Sequence, residues 1–134
     1  MGYLAYLNTM ITEEIDHPKI QSCCGSLPAI EDALYVLGGK WKLRIILVLL
    51  EGGNKRFNDL QRTLKSISAR VLSHELKELE LNGFVKRNVY SSETPVVVEY
   101  EATEYGLTLR KVLDALVEWG KMHREKIKEL PITV

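Results

Sequence analysis

One change of period constrains this chain most. Before Gly83, apolar residues recur every three or four positions, as on helices. Residues 84–90 and 96–100 are instead rich in β-branched and aromatic types, and residues 91–95 between them carry turn chemistry. From residue 106 to about 130 the helical period returns, with Leu109, Val112, Leu113, Leu116, Trp119 and His123 on one side. The pattern predicts a mainly α fold with one small β-hairpin.

The helical segments add the order of elements. Leu4, Leu7, Ile11 and Ile15 mark an amphipathic helix before Pro18, too short to stand alone and so expected to dock. A loop is expected over residues 18–28, where Gly25 and Ser26 fall. A short helix then follows over 30–37, with Glu31 and Asp32 in its first turn, where the dipole favours acids. Gly38-Gly39 ends it. Trp41, Ile45, Val48 and Leu49 form the stripe of the next helix, which Gly52-Gly53 terminates. Phe57, Leu60 and Leu64 define another short helix. Ser68 is the expected N-cap of a longer one, its buried face formed by Val71 or Leu72, then Leu76 and Leu79. Two short helices, a longer helix and a hairpin give the order of a winged helix-turn-helix, here with extra helices at both ends.

The length of 134 residues fits one domain. Three parts are expected: an N-terminal helix and loop (1–28), a winged-helix core (29–104) and a C-terminal helix (105–134). A formal net charge of +0 says nothing by itself about partners, but it is unevenly spread. Between Lys40 and Tyr90, eleven bases face five acids, a balance of +6; the remainder of the chain carries −6.

That basic stretch contains the expected recognition helix, over residues 68–82. With Leu72, Leu76 and Leu79 turned inward, Ala69, Arg70, Ser73, His74 and Lys77 fall on the outer arc. A helix in the major groove reads base edges near its N-terminal end. Arg70 suits bidentate donation to guanine, and Ser73 and His74 suit adaptable polar contacts. Ser68 with the helix N-terminus suits phosphate, as do Lys42, Arg56, Lys77 and Arg87. An ordinary solvated helix face explains the same charges in isolation; the preceding helices and the hairpin, with Lys86 and Arg87 at its base, favour double-stranded DNA.

Other chemistry is weakly represented. Cys23 and Cys24 are adjacent and cannot build a disulfide framework; they are candidates for a redox switch. His17 with these cysteines does not make a zinc pattern, and His74-Glu75 lacks the second histidine of a zinc-protease helix. No metal, cofactor or catalytic residue is therefore expected. The strongest apolar run, residues 45–50, is far below the roughly 20 needed to span a bilayer. Cytoplasmic location is the default expectation, and no small-molecule effector can be named.

Several motifs in order resemble the HxlR-type transcriptional regulators: Gly38-Gly39-Lys40-Trp41, Arg56-Phe57-Asn58-Asp59-Leu60, Ile67-Ser68 with Val71-Leu72-Ser73, Leu76-Lys77-Glu78-Leu79-Glu80, Gly83-Phe84-Val85, and Val98-Glu99-Tyr100 with Thr103 and Gly106. The resemblance covers about residues 29–120. It implies a MarR-like winged-helix homodimer that binds operator DNA in bacteria or archaea, with the terminal helices as dimerisation helices. Leu4, Leu7, Ile11, Leu113, Leu116 and Trp119 are the residues expected at that interface. The family's usual Cys-Pro pair is replaced here by Pro28 and Ala29, and the expected wing tip carries Glu93 but no base. The rival reading is a winged helix used as a protein-interaction module without operator binding.

Overall fold

The computed structural model describes residues 23–130. The expected helix through Leu4, Leu7, Ile11 and Ile15 lies outside the described residues.

The first described helix, α1, spans Cys23–Leu37. It corrects the expected loop, because residues 23–28 are already helical and Glu31 and Asp32 lie mid-helix. Pro28 lies inside this helix and gives up the bond that an N–H there would make to the Cys24 carbonyl. Leu27, Ile30 and Leu34 then share one exposed stripe.

Helix α2 covers Lys42–Gly52 and runs through the middle of the core. Ile45, Ile46 and Leu49 are buried along it, whereas Val48 is only partly covered. The expected single stripe is thus too narrow. The helix packs against α4 and the sheet and also against the C-terminal helix, so it needs a wider apolar arc.

Strand β1 is Lys55–Arg56, α3 is Phe57–Leu64 and α4 is Ala69–Leu81. Strands β2, Val85–Tyr90, and β3, Val97–Ala102, form the expected hairpin. All three strands make one antiparallel sheet in the order β1-β3-β2. Strand β1 was not expected: two residues are too few to display a period of two. Its register pairs Lys55 with Tyr100 and Arg56 with Glu99.

The C-terminal helix is preceded by a separate turn. Helix α5, Glu104–Leu107, gives way at Thr108 and Leu109 to α6, Arg110–Glu129. Thr103 causes the early start. Its Oγ1 accepts from the Gly106 N–H at 3.0 Å and donates to the Gly83 carbonyl at 2.5 Å, locking α5 to the end of α4. Gly106 is buried there, and a Cβ would collide with the Phe84 carbonyl oxygen.

The core gathers Trp41, Ile45, Ile46 and Leu49 with Leu60, Ile67, Leu72, Leu76, Leu79, Phe84, Val85, Leu109 and Leu113. It joins the helix-turn-helix, the sheet and the start of α6 into one body. Ser68 caps α4: in extended conformation, its Oγ accepts from the Val71 N–H at 3.2 Å. Ser68→Ala is expected to cost about 0.5–2 kcal/mol of stability, read as a lower urea midpoint at unchanged slope.

Candidate nucleic-acid interface

Helix α4 presents two unlike faces. Leu72, Leu76 and Leu79 are buried, resolving the choice between Val71 and Leu72 in favour of Leu72, since Val71 is 38% exposed. Arg70, Ser73, His74 and Lys77 are all exposed on the other side. His74 sits 3.8 Å from Glu78 one turn on, a loose exposed contact that leaves its ring accessible.

The sheet adds a wall beside this face. Ser73, Leu76, Lys77 and Glu80 from α4, Arg87 from β2 and Tyr100 from β3 line a groove of about 360 Å³. Arg87 stands directly opposite Tyr100 in the ladder, which puts their side chains on the same sheet face. The fold therefore brings together three of the residues expected at DNA: Ser73, Lys77 and Arg87. Two cations and two hydroxyls, against the single carboxylate of Glu80, suit a phosphate backbone. Tyr100 is a member that residue-type reasoning missed; its place between β1 and β2 is a product of strand pairing.

Other expected contacts are not in this group. Arg56 is exposed, but its register partner is Glu99, itself opposite Asn88. That row alternates to the sheet face away from Arg87. Lys55, rather than Arg56, shares the Tyr100–Arg87 row, and its side chain runs back over Gly52 at the end of α2.

Lys42 is corrected outright. Its ammonium lies 2.7 Å from Glu75 Oε2, and the two side chains are only 14% and 16% exposed. The first residue of α2 faces α4 rather than solvent, so its charge is neutralised within the protomer. Two further bases in the positive stretch, Lys40 and Arg44, are exposed and stand 4.9 and 5.2 Å from the Trp41 ring centre. Arg62 pairs with Asp59 at 2.5 Å. Each ion pair takes one base and one acid from the stretch, so its balance stays at +6 while Lys42 and Arg62 are occupied within the protomer. Lys77 and Arg87 line the groove, and Arg70 is exposed on the same helix face.

The wing tip, residues 91–96, is exposed throughout. Of the residues expected at a dimer interface, Leu113 is corrected: it is buried in the protomer core beside Leu109. Leu116 and Trp119 are exposed, with Val112 and Met122 on the same helix, and Trp119 stacks on His123 at 4.9 Å. Leu4, Leu7 and Ile11 lie outside the described residues. Cys23 and Cys24 open α1 instead of lying in a loop. No helix among the described residues is long and apolar enough to cross a membrane.

Comparison with known proteins agrees with this geometry. Residues 36–128 match the family described as HxlR-like helix-turn-helix. The HTH-type transcriptional regulator YtcD of Bacillus subtilis is 41% identical over 99 residues, covering 74% of this chain and 77% of the relative. Among solved structures, the redox regulator HypR in its reduced form superposes with a TM-score of 0.70 at 39% identity, covering 76% of this chain and 99% of that one. A MarR-family regulator from Enterococcus faecalis V583 gives 0.67 at 35% identity, covering 84% and 97%. The fold is a MarR-like winged helix, and its relatives regulate transcription and are not enzymes. The chain belongs to the HxlR-like helix-turn-helix family of DNA-binding transcriptional regulators.

Proposed function

We propose that the protein binds double-stranded operator DNA as a homodimer, with α4 of each protomer in the major groove. The observation that carries this reading is the exposed face of α4 bearing Arg70, Ser73 and His74, flanked by the groove that contains Lys77 and Arg87. Arg70, Ser73 and His74 contact base edges, while Lys77 and Arg87 hold phosphates on the wing side. Ser68 accepts a hydrogen bond from the helix and keeps its own hydroxyl proton for a phosphate. Arg56 reaches the backbone only from the far side of the sheet. The second protomer reads a half-site about one helical turn, roughly 34–36 Å, away.

The exposed apolar residues support the second copy. Val112, Leu116, Trp119 and Met122 on α6, and Leu27, Ile30 and Leu34 on α1, leave two helices with apolar faces uncovered in one protomer. A regulator of this kind works on the chromosome, in the cytoplasm of a bacterial or archaeal cell.

Arg70→Ala tests the reading. On a duplex selected by the protein from random oligonucleotides, the variant is expected to lose about 1–3 kcal/mol of binding and relax preference at one base position. Unchanged affinity and unchanged preference, measured by gel shift and repeated selection, would remove α4 from the major groove. A protein that selects no duplex at all belongs to the rival class, a winged helix that binds protein.

A further inference from the structure

The Lys42–Glu75 pair has a place in DNA reading, given the operator-binding function above. We propose that Lys42 and Glu75 are positioning residues that set the roll of the recognition helix about its own axis, without touching DNA.

Other contacts hold α4 as well. Its inner face is Leu72, Leu76 and Leu79, all buried. Packing of these leucines fixes depth and most of the rotation, and a tether off the stripe adds a restraint at one flank. At 3.6 residues per turn, Ser73, Lys77 and Glu80 occupy one flank of the apolar stripe, the flank that lines the groove with Arg87 and Tyr100. Glu75 occupies the opposite flank, between Leu79 and the exposed His74 side. The ion pair there is short, 2.7 Å, and although Glu75 Oε2 makes no hydrogen bond, it is a Coulombic tether placed off the apolar stripe. The other end of the contact is anchored: Lys42 begins α2, whose Ile45, Ile46 and Leu49 are buried. Water is largely excluded from both side chains, so this pair holds its geometry better than an exposed one.

Roll matters because it aims the base readers. Arg70, Ser73 and His74 extend from the helix axis, so a small rotation moves their polar atoms out of register with base edges while phosphate contacts adjust. Lys42 also cancels a carboxylate that otherwise stands one residue from His74 on the helix nearest the phosphates.

Two single variants separate this role from simple electrostatics. Glu75→Gln removes an acid from the DNA-facing domain, so charge alone predicts tighter binding to every duplex. Positioning predicts the reverse on the selected duplex: affinity about tenfold weaker, with binding to a scrambled duplex not weakened. Lys42→Met is expected to lose a similar factor on the selected duplex only, with the slope of log K against log salt unchanged. The double variant should be no weaker than the weaker single, and Lys42→Arg should retain most of the discrimination. Circular dichroism and thermal unfolding identify any variant that fails to fold; Glu75→Gln and Lys42→Arg carry the test if Lys42→Met does so.

A salt slope lower by about one, with equal loss on both duplexes, makes Lys42 a phosphate contact and overturns the proposal. Additive losses, or a Glu75→Gln protein that binds the selected duplex as well as or better than the wild type, overturn it too. A wild-type protein that selects no duplex overturns the operator reading itself, which distinguishes that failure from failure of the pair.

Discussion

Leu72→Ala is expected to cost about 2–5 kcal/mol of stability, the cost of a leucine truncated in a packed core. Leu72 is completely buried, in the same cluster as Ile45, Leu60 and Leu76. It belongs to α4 and shares that cluster with residues of α2 and α3, so the cavity opens inside the core. Against a total of about 5–15 kcal/mol for a domain, that loss is a large fraction. Urea unfolding should show a lower midpoint at similar slope. The neighbouring Val71→Ala is the control. Its side chain is 38% exposed, and the change should cost about 1 kcal/mol or less. Equal losses at the two positions would mean that α4 is rotated relative to the packing described above.

Trp119→Glu should act on association and leave the protomer folded. Trp119 is 57% exposed and lies among Val112, Leu116 and Met122, so a carboxylate there disrupts no core contact. Aromatic anchors at the centre of an interface typically carry about 2 kcal/mol or more, equivalent to roughly a thirtyfold shift in dimer dissociation. Sedimentation should find a larger monomer fraction at micromolar protein, with a normal far-ultraviolet spectrum. Affinity for a two-half-site duplex should fall further than affinity for a single half-site, because the second contact no longer comes tethered to the first. An unchanged sedimentation profile would place the protomer contact elsewhere. Leu113→Ala is the informative contrast: Leu113 is buried within the protomer, and its truncation should lower stability.

The two residues separate what was legible in the chain from what was not. Helical spacing put Leu113, Leu116 and Trp119 on one face of a C-terminal helix, and all three lie on α6. Spacing cannot say which neighbour covers each part of a stripe. The first turn of α6 packs on α2, which buries Leu113, whereas Leu116 and Trp119 remain exposed beyond it. Pro28 shows another limit. Proline has a local penalty of one lost hydrogen bond and a clash, yet Pro28, expected at the end of a loop, lies inside α1.

Charge behaved likewise. The bases between Lys40 and Tyr90 are a fact of the sequence, yet Lys42 is paired with Glu75, Arg62 with Asp59, and Lys40 and Arg44 lie over Trp41. The charge count located the right segment, but which of its bases face outward was not in it. Acids close in sequence, such as Asp59 near Arg62, can be anticipated from helical spacing. Glu75 is thirty-three positions from Lys42, and only packing makes them partners.

The sequence alone determined the helices from α2 to α4, the hairpin, the Ser68 cap and the outward set Arg70, Ser73, His74 and Lys77, but not β1 or α5. Each depends on local periodicity or on hydrogen bonds between residues a few positions apart, which a linear pattern contains. Tertiary structure decided that Arg87 joins Ser73 and Lys77 in a groove, that Arg56 faces away from it, and that Lys42 turns inward to Glu75. Those outcomes follow from strand register and helix packing, where one residue of offset reverses a side chain's face and distant charges meet.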